Sequence, residues 1–271
     1  MTIWRTSRFT IDLSLPRVMG IVNVTPDSFS DGGQFASERD AIAHCDRLVG
    51  EGADMIDVGG ESTRPGARTP SADEELARVL PVLRHALTLG VPVSVDTSQR
   101  AVMRAALDLG VDIVNDVRAL QRPGALEAVA AYPSAGLCLM HMQGEPGTMQ
   151  AAPQYGDVVR DVAVFLAHRR DAALVAGIAF DRIALDPGIG FGKTTAHNLA
   201  LLARQRELVS LGSPLLVGWS RKSTLGAVTG RAVDQRLPAS VAAAVMAVER
   251  GARILRVHDV AATVDAVKVW C

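Results

Sequence analysis

Asp96 in VPVSVDTS, Asn115 in DIVNDV and Asp186 in IALDPGIG each stand at the end of a short apolar run. Two carboxylates and an amide provide donors and acceptors suited to the edge of a flat heterocycle carrying an amino group and ring nitrogens. Asp and Asn also offer hard oxygen ligands to a divalent cation, and either Asp could instead anchor a loop amide or a lysine. A second group is cationic. Arg256 and His258 in RVH share one face of a strand by alternation, and Arg221 and Lys222 in SRKS stand just before a helix, so these residues describe an anion site of the kind that holds phosphate. The bland alternative for Arg256 is a surface salt bridge. His258, two residues on in an otherwise apolar strand, weighs against it.

Other apolar runs end the same way. Asn23 closes one in MGIVNVTPDSFSDGG, Asp57 is followed by Glu61, Ser62, Thr63 and Arg64, and Asn115 by Asp116; His141 closes another. Singly, each reads as a loop residue. Converging on one cleft, so many polar groups would be costly unless a ligand or water satisfied them, which favours a polar small-molecule site. The loops TPDSFSDGG (25–33) and GGESTRPGA (59–67) are candidate lids. DPGIGFGK (186–193) does not match a P-loop; Gly188 and Gly190 would let the backbone pass close to a ligand, with Phe191 free to pack on a ring face. There is no G-x-S-x-G elbow, no H-E-x-x-H and no cysteine placed beside a base, which argues against covalent catalysis by serine or cysteine.

The elements that must position these residues alternate. Apolar runs at 17–24, 53–58, 91–95, 111–114, 136–140, 182–185, 214–218 and 252–257 read as buried strands. Helical spacing occupies 38–50, 71–89, 98–109, 124–132, 156–176, 196–211, 238–250 and 260–269. Near-continuous apolar strands with helical crossovers predict an α/β fold, a closed (β/α)₈ TIM barrel, whose function gathers where the strands end. Gly52, Gly90, Gly110, Gly177, Gly212 and Gly251 follow helical stretches as left-handed caps, and Ser71 and Ser98 are candidate N-caps. Pro81 should kink or divide the second helix. A length of 271 residues without a linker or repeat predicts one domain over 1–271. A net charge of −1 gives no sign of a nucleic-acid surface, and the apolar runs are too short for a membrane span. Residues 1–16 lack a secretory h-region, so a cytoplasmic protein is expected. Cys45, Cys138 and Cys271 show no metal or disulfide spacing.

GIVNVTPDSFSDGG, GADMIDVGGESTRPGA, PVSVDT, DIVNDV, LMHMQGEPGTMQ, LDPGIGFGKT, GWSRKS and RVHDV together resemble the dihydropteroate synthase family nearly end to end. The resemblance implies a barrel transferase of folate biosynthesis, usually a homodimer, that joins p-aminobenzoate to 6-hydroxymethyl-7,8-dihydropterin pyrophosphate with Mg2+. It implies that Asp96, Asn115, Asp186 and Lys222 hold the pterin. Asn23 would ligate magnesium and, with Arg256 and His258, hold the pyrophosphate, with Thr63 alongside. Phe29, Thr63, Arg64, Pro65, Phe191, Lys222 and Ser220 would form the aminobenzoate pocket, a sulfonamide target, and Asp31 would help complete the site. Asn23, Asp31, Arg64, Lys222, Arg256 and His258 are the expected catalytic set. Two other classes share parts of this pattern. A pterin-binding methyltransferase barrel would not need the two loops or the anion site, and a silent pterin-binding paralogue should show losses in them.

Overall fold

A computed structural model describes residues 2–24, 33–62, 69–145 and 147–271, with side chains in the first helix from residue 38. All eight expected barrel strands are present: β3 (Arg17–Asn23), β4 (Met55–Gly59), β5 (Val93–Asp96), β6 (Ile113–Asp116), β7 (Gly136–Met140), β8 (Ile183–Asp186), β9 (Leu216–Val217) and β10 (Ile254–Val257). They pair in parallel in the order β8-β7-β6-β5-β4-β3-β10-β9. A bridge between Leu185 and Leu215, with the Leu185 N–H donating to the Pro214 carbonyl at 2.9 Å, closes the ring. Around it run α1 (Gly33–Gly50), α2 (Ala72–Ala86), α3 (Arg100–Leu109), α4 (Ala125–Ala130), α5 (Val158–Val175), α6 (Thr195–Ala203), α7 (Gln205–Val209), α8 (Ser223–Thr229), α9 (Leu237–Glu249) and α10 (Val260–Trp270).

Strand alternation sorts side chains into two cores. Val18, Val22, Ile56, Val58, Val95, Val114, Leu137, Leu139 and Leu185 face outward into the layer shared with the helices. Met19, Met55, Ile113, Cys138, Ala184, Leu216 and Ile254 point inward and fill the amino-terminal half of the barrel. A hairpin not foreseen from the sequence, β1 (Ile3–Arg5) and β2 (Thr10–Asp12), seals that end with Trp4, Ile11 and Leu13, and the Trp4 indole N–H donates to the Arg182 carbonyl at 2.8 Å.

Several boundaries differ from expectation for one reason. The strands expected from 53, 111 and 252 begin two residues later, because Ala53, Val111 and Ala252 donate back to Leu48, Ala106 and Ala247 and complete the glycine-bearing helix ends. Gly52, Gly110 and Gly251 have the positive φ those ends require. Ser71 caps α2 in a reciprocal capping box with Glu74. Ser98 is not a cap: Gln99 occupies that position, and the Ser98 hydroxyl is buried against Asp116. Pro81 does not divide α2, which is assigned without interruption, whereas the expected 196–211 helix breaks at Arg204. Among the described residues no helix is long and apolar enough to cross a membrane.

Candidate active site

Two residues beyond inward Met55, Ile113, Ala184 and Ile254, the same strands turn polar at Asp57, Asn115, Asp186 and Arg256. A cavity of about 180 Å³ opens at the carboxyl end of the barrel, lined by Asn23, Asp96, Asn115, Asp186, Phe191, Ser220, Lys222, Arg256 and His258, together with Glu61 and Ser62 and an apolar wall of Ile21, Val117, Met140 and Ile189. Every described residue to which the family resemblance gave a binding or catalytic role therefore borders one space. Phe29, Asp31, Thr63, Arg64 and Pro65 lie outside the described residues.

The sequence set an acidic and amide group apart from a cationic one; the geometry brings them together. Arg256 Nε donates to Asp57 Oδ2 at 2.5 Å, and Arg256 Nη2 to Asp96 Oδ2 at 2.7 Å. Asn115 Nδ2 donates to the same Asp57 oxygen at 3.1 Å. Asp57 is completely buried, so its charge is tolerated only because Arg256 and Asn115 face it. Burial opposes the charge on Arg256, but Asp57 and Asp96 outweigh it and hold the guanidinium above its ordinary pKa. Burial also pushes the Asp96 carboxyl up, against the pull of Arg256. Asp186 is raised for the same reason, and its Oδ1 accepts the Gly188 N–H at 2.7 Å.

Beyond β9, which lies in the ring between the strands of Asp186 and Arg256, Lys222 stands at the N-cap position of α8, and its ammonium lies 4.3 Å from the centroid of the Phe191 ring. Burial lowers its pKa to about 8. His258 is not the cation expected: burial, then Arg221, Arg256 and Lys222, push it down to about 3, so it is neutral near pH 7. The Ser220 hydroxyl accepts the His258 backbone N–H at 3.2 Å and lies 3.0 Å from Nδ1, to which it can donate. That assignment leaves the proton on Nε2, making the ring a hydrogen-bond donor to whatever anion it meets. Arg221 does not line the cavity; its guanidinium forks onto Asp259 at 2.5 and 3.0 Å.

Other polar strand ends are structural. Asp116 accepts from Ser98 and from the N–H groups of Arg118 and Leu120, fixing a turn in which Ala119 and Leu120 are both left-handed. Arg118 spans Glu61 at 3.3 Å and Glu145 at 3.0 Å. His141 is buried beside the Lys193 ammonium, 2.9 Å from Nδ1. Gly188 is needed for close approach to protein, not ligand, since a Cβ there would lie 1.9 Å from the His141 carbonyl oxygen. Sequence reasoning gave no role to Asp57 beyond its place at a strand end, and none to Lys193. The position of Asp57 in the alternation of β4, two residues after inward-facing Met55, carried that signal.

Among the described residues no group of three or more His, Cys, Asp and Glu side chains could cage a metal. Asn23 offers one hard oxygen at the cavity wall. A lone amide suits Mg2+ that keeps its waters and shares a substrate's phosphate oxygens.

The family model described as pterin binding enzyme matches residues 19–258. The chain is 53% identical over 274 residues to the dihydropteroate synthase of Neisseria meningitidis serogroup B, covering 99% of this chain and 96% of that protein. Its fold is similar to Xanthomonas albilineans dihydropteroate synthase with 4-aminobenzoic acid, with a TM-score of 0.91 and 53% identity over 96% of this chain and 94% of the other. It is also similar to Burkholderia cenocepacia dihydropteroate synthase complexed with 7,8-dihydropteroate, with a TM-score of 0.90, 49% identity and coverage of 99% and 95%.

Proposed function

Since the chain belongs to the dihydropteroate synthase family of pterin-binding enzymes, we propose how its cavity carries out that family's reaction. The activity is a transfer: 6-hydroxymethyl-7,8-dihydropterin pyrophosphate and p-aminobenzoate give 7,8-dihydropteroate and pyrophosphate. The amine nitrogen forms a bond to the pterin methylene carbon, the bond from that carbon to the pyrophosphate oxygen breaks, and the nitrogen loses a proton.

In this reading Asp96, Asn115, Asp186 and Lys222 hold the pterin edge. The observation that carries it is the contact of Arg256 with Asp96 inside one cavity, which puts an anion-binding group within a side chain's reach of the heterocycle site. Arg256 and the His258 Nε2–H receive the departing pyrophosphate, stabilising its charge with groups already oriented before reaction. Asn23 holds Mg2+, which when bound supplies further positive charge to the leaving group. The methylene left behind is conjugated with the electron-rich pterin, so positive charge there is tolerable and no covalent enzyme intermediate is required. Phe191, Ser220 and Lys222, with Phe29, Thr63, Arg64 and Pro65, receive aminobenzoate, and Asp31 helps complete the site. Sulfonamides, which imitate aminobenzoate, compete for that pocket.

The protein acts as a cytoplasmic homodimer. Exposed Leu199, Val228, Val233, Leu237 and Met246 lie on α6, α8, the turn after α8, and α9, an apolar surface for the second copy to cover. Its three cysteines are free thiols, consistent with a reducing compartment.

Mixing both substrates with Mg2+ should release pyrophosphate and form dihydropteroate in equal amounts, with neither product appearing when aminobenzoate is left out. Pyrophosphate release that ignores aminobenzoate, or a pterin attached covalently to the protein, would contradict the mechanism.

A further inference from the structure

The loop after β8 is held by a buried lysine of its own and by side chains from outside it. Lys193 is buried, and its ammonium lies 3.0 Å from the Gly188 carbonyl oxygen, 3.0 Å from that of Phe191 and 2.9 Å from His141 Nδ1. Gln150 Nε2 donates to the Gly190 carbonyl at 2.5 Å, and the Tyr155 hydroxyl to that of Gly192 at 2.7 Å. Asn198 Oδ1 accepts the Gly190 N–H at 2.9 Å. The carbonyls of Gly188, Gly190, Phe191 and Gly192 are thus all taken by side-chain donors.

Most of this grip does not touch the cavity; its product, the Phe191 ring beside the Lys222 ammonium, does. Lys193 makes no ion pair among the described residues, so the groups in direct contact with its charge are carbonyl oxygens and an imidazole nitrogen. A surface turn could be held by neutral groups without burying a cation. The expense is explained if the conformation of this loop matters to the reaction.

We propose that Lys193 is a positioning residue for aminobenzoate: by chelating the Gly188 and Phe191 carbonyls and His141, it fixes the Phe191 ring against Lys222 and so sets affinity for the aromatic amine, not for the pterin. The inference rests on the reading of the cavity given above. His141 is kept neutral by burial and by Lys193 itself, with its pKa lowered to about 3, and because the facing ammonium can only donate, its Nδ1 is the acceptor. The groups facing this cluster are Asp186, which favours the Lys193 charge, and Lys222, which opposes it; the edges of Phe165 and Tyr155 cover His141, and His197 packs on Tyr155. Burial brings the Lys193 pKa down to about 7, and a neutral amine has too few donors to hold all three acceptors.

The test is the Lys193→Met variant, which keeps the stem and removes the donors. Its KM for p-aminobenzoate should rise tenfold or more while kcat stays within threefold, and 6-hydroxymethylpterin, titrated calorimetrically into the free protein, should bind within twofold of the unaltered chain. Between pH 6 and 8.5 the unaltered protein's KM for aminobenzoate should climb, and that climb should flatten in the variant, with any residual slope due to Lys222. Should Lys193→Met fail to fold, Tyr155→Phe, which loses only the Gly192 contact, should show the same selective rise at about threefold. Equal losses for both ligands, or lowered thermal stability with an unchanged KM and pH profile, would overturn the proposal. Failure of the unaltered protein to make dihydropteroate would instead remove the function on which it rests.

Discussion

The two ends of the barrel are built from the same strands and spend them differently. At the amino end, inward Met19, Met55, Ile113, Cys138, Ala184, Leu216 and Ile254 meet the Trp4 hairpin in a dry, closed cluster. Two residues further along, the strands present Ile21, Asp57, Asn115, Met140, Asp186 and Arg256, and the barrel opens into a charged cavity. The lower layer meets its own needs by apolar contact. The upper layer holds charges whose burial is costly, and even after Arg256 bridges Asp57 and Asp96, Asp57 Oδ1 remains buried without a hydrogen-bond partner among the described residues. Stability is concentrated at one end so that the other can hold polar groups for a ligand.

The comparison breaks most easily at its extremes. Trp4→Ala should cost about 3–5 kcal/mol of unfolding free energy in urea, since it empties a fully buried site. Its KM and kcat, measured well below the melting temperature, should stay unchanged. Arg256→Gln should do the reverse in emphasis, lowering kcat/KM on the order of 10²- to 10³-fold, as loss of one preorganised oxyanion contact does. Stability should fall too, because Asp57 loses its counter-charge. The Arg256→Gln variant combined with Asp57→Asn should therefore recover stability in the same urea titration and none of the activity.

Two smaller changes sharpen the boundary, because they sit beside the mouth but not in the cavity. Glu75 in α2 is fully buried and makes no ion pair among the described residues; burial raises its pKa from 4.5 to about 7. A carboxyl raised in the folded state contributes stability below pH 4.5 that is lost as pH climbs through 7. Glu75→Gln should accordingly stabilise by on the order of 2 kcal/mol at pH 8 and hardly at all at pH 4.5, as paired urea melts would show. Ser71→Ala, which removes the capping box of α2, should cost about 1 kcal/mol in the same melts with kcat/KM unaltered. If either change lowered activity as Arg256→Gln does, proximity to the mouth rather than contact with the cavity would define function.

Much of this was legible in residue order alone. Buried parallel strands are near-continuous apolar runs, and helix ends need left-handed glycine, so the alternation and the carboxyl-end polar residues stood out. The N-terminal hairpin did not, because three-residue strands are too short to show a period. Nor did the partners of Arg256: Asp57 and Asp96 are 199 and 160 residues away in sequence and meet it only when the ring closes. The neutrality of His258 likewise depends on burial and on cations brought near by folding. Ser98 looked like a cap because the sequence shows the residue type but not the direction of its hydroxyl.

The most direct test is a crystal structure of the chain with its pterin pyrophosphate and Mg2+, in the absence of aminobenzoate. The pterin edge should lie against Asp96, Asn115 and Asp186, with the pyrophosphate reaching Arg256 and the Nε2 of His258 in the same cavity. A pyrophosphate bound away from Arg256, or a pterin outside the carboxyl-end cavity, would contradict the account.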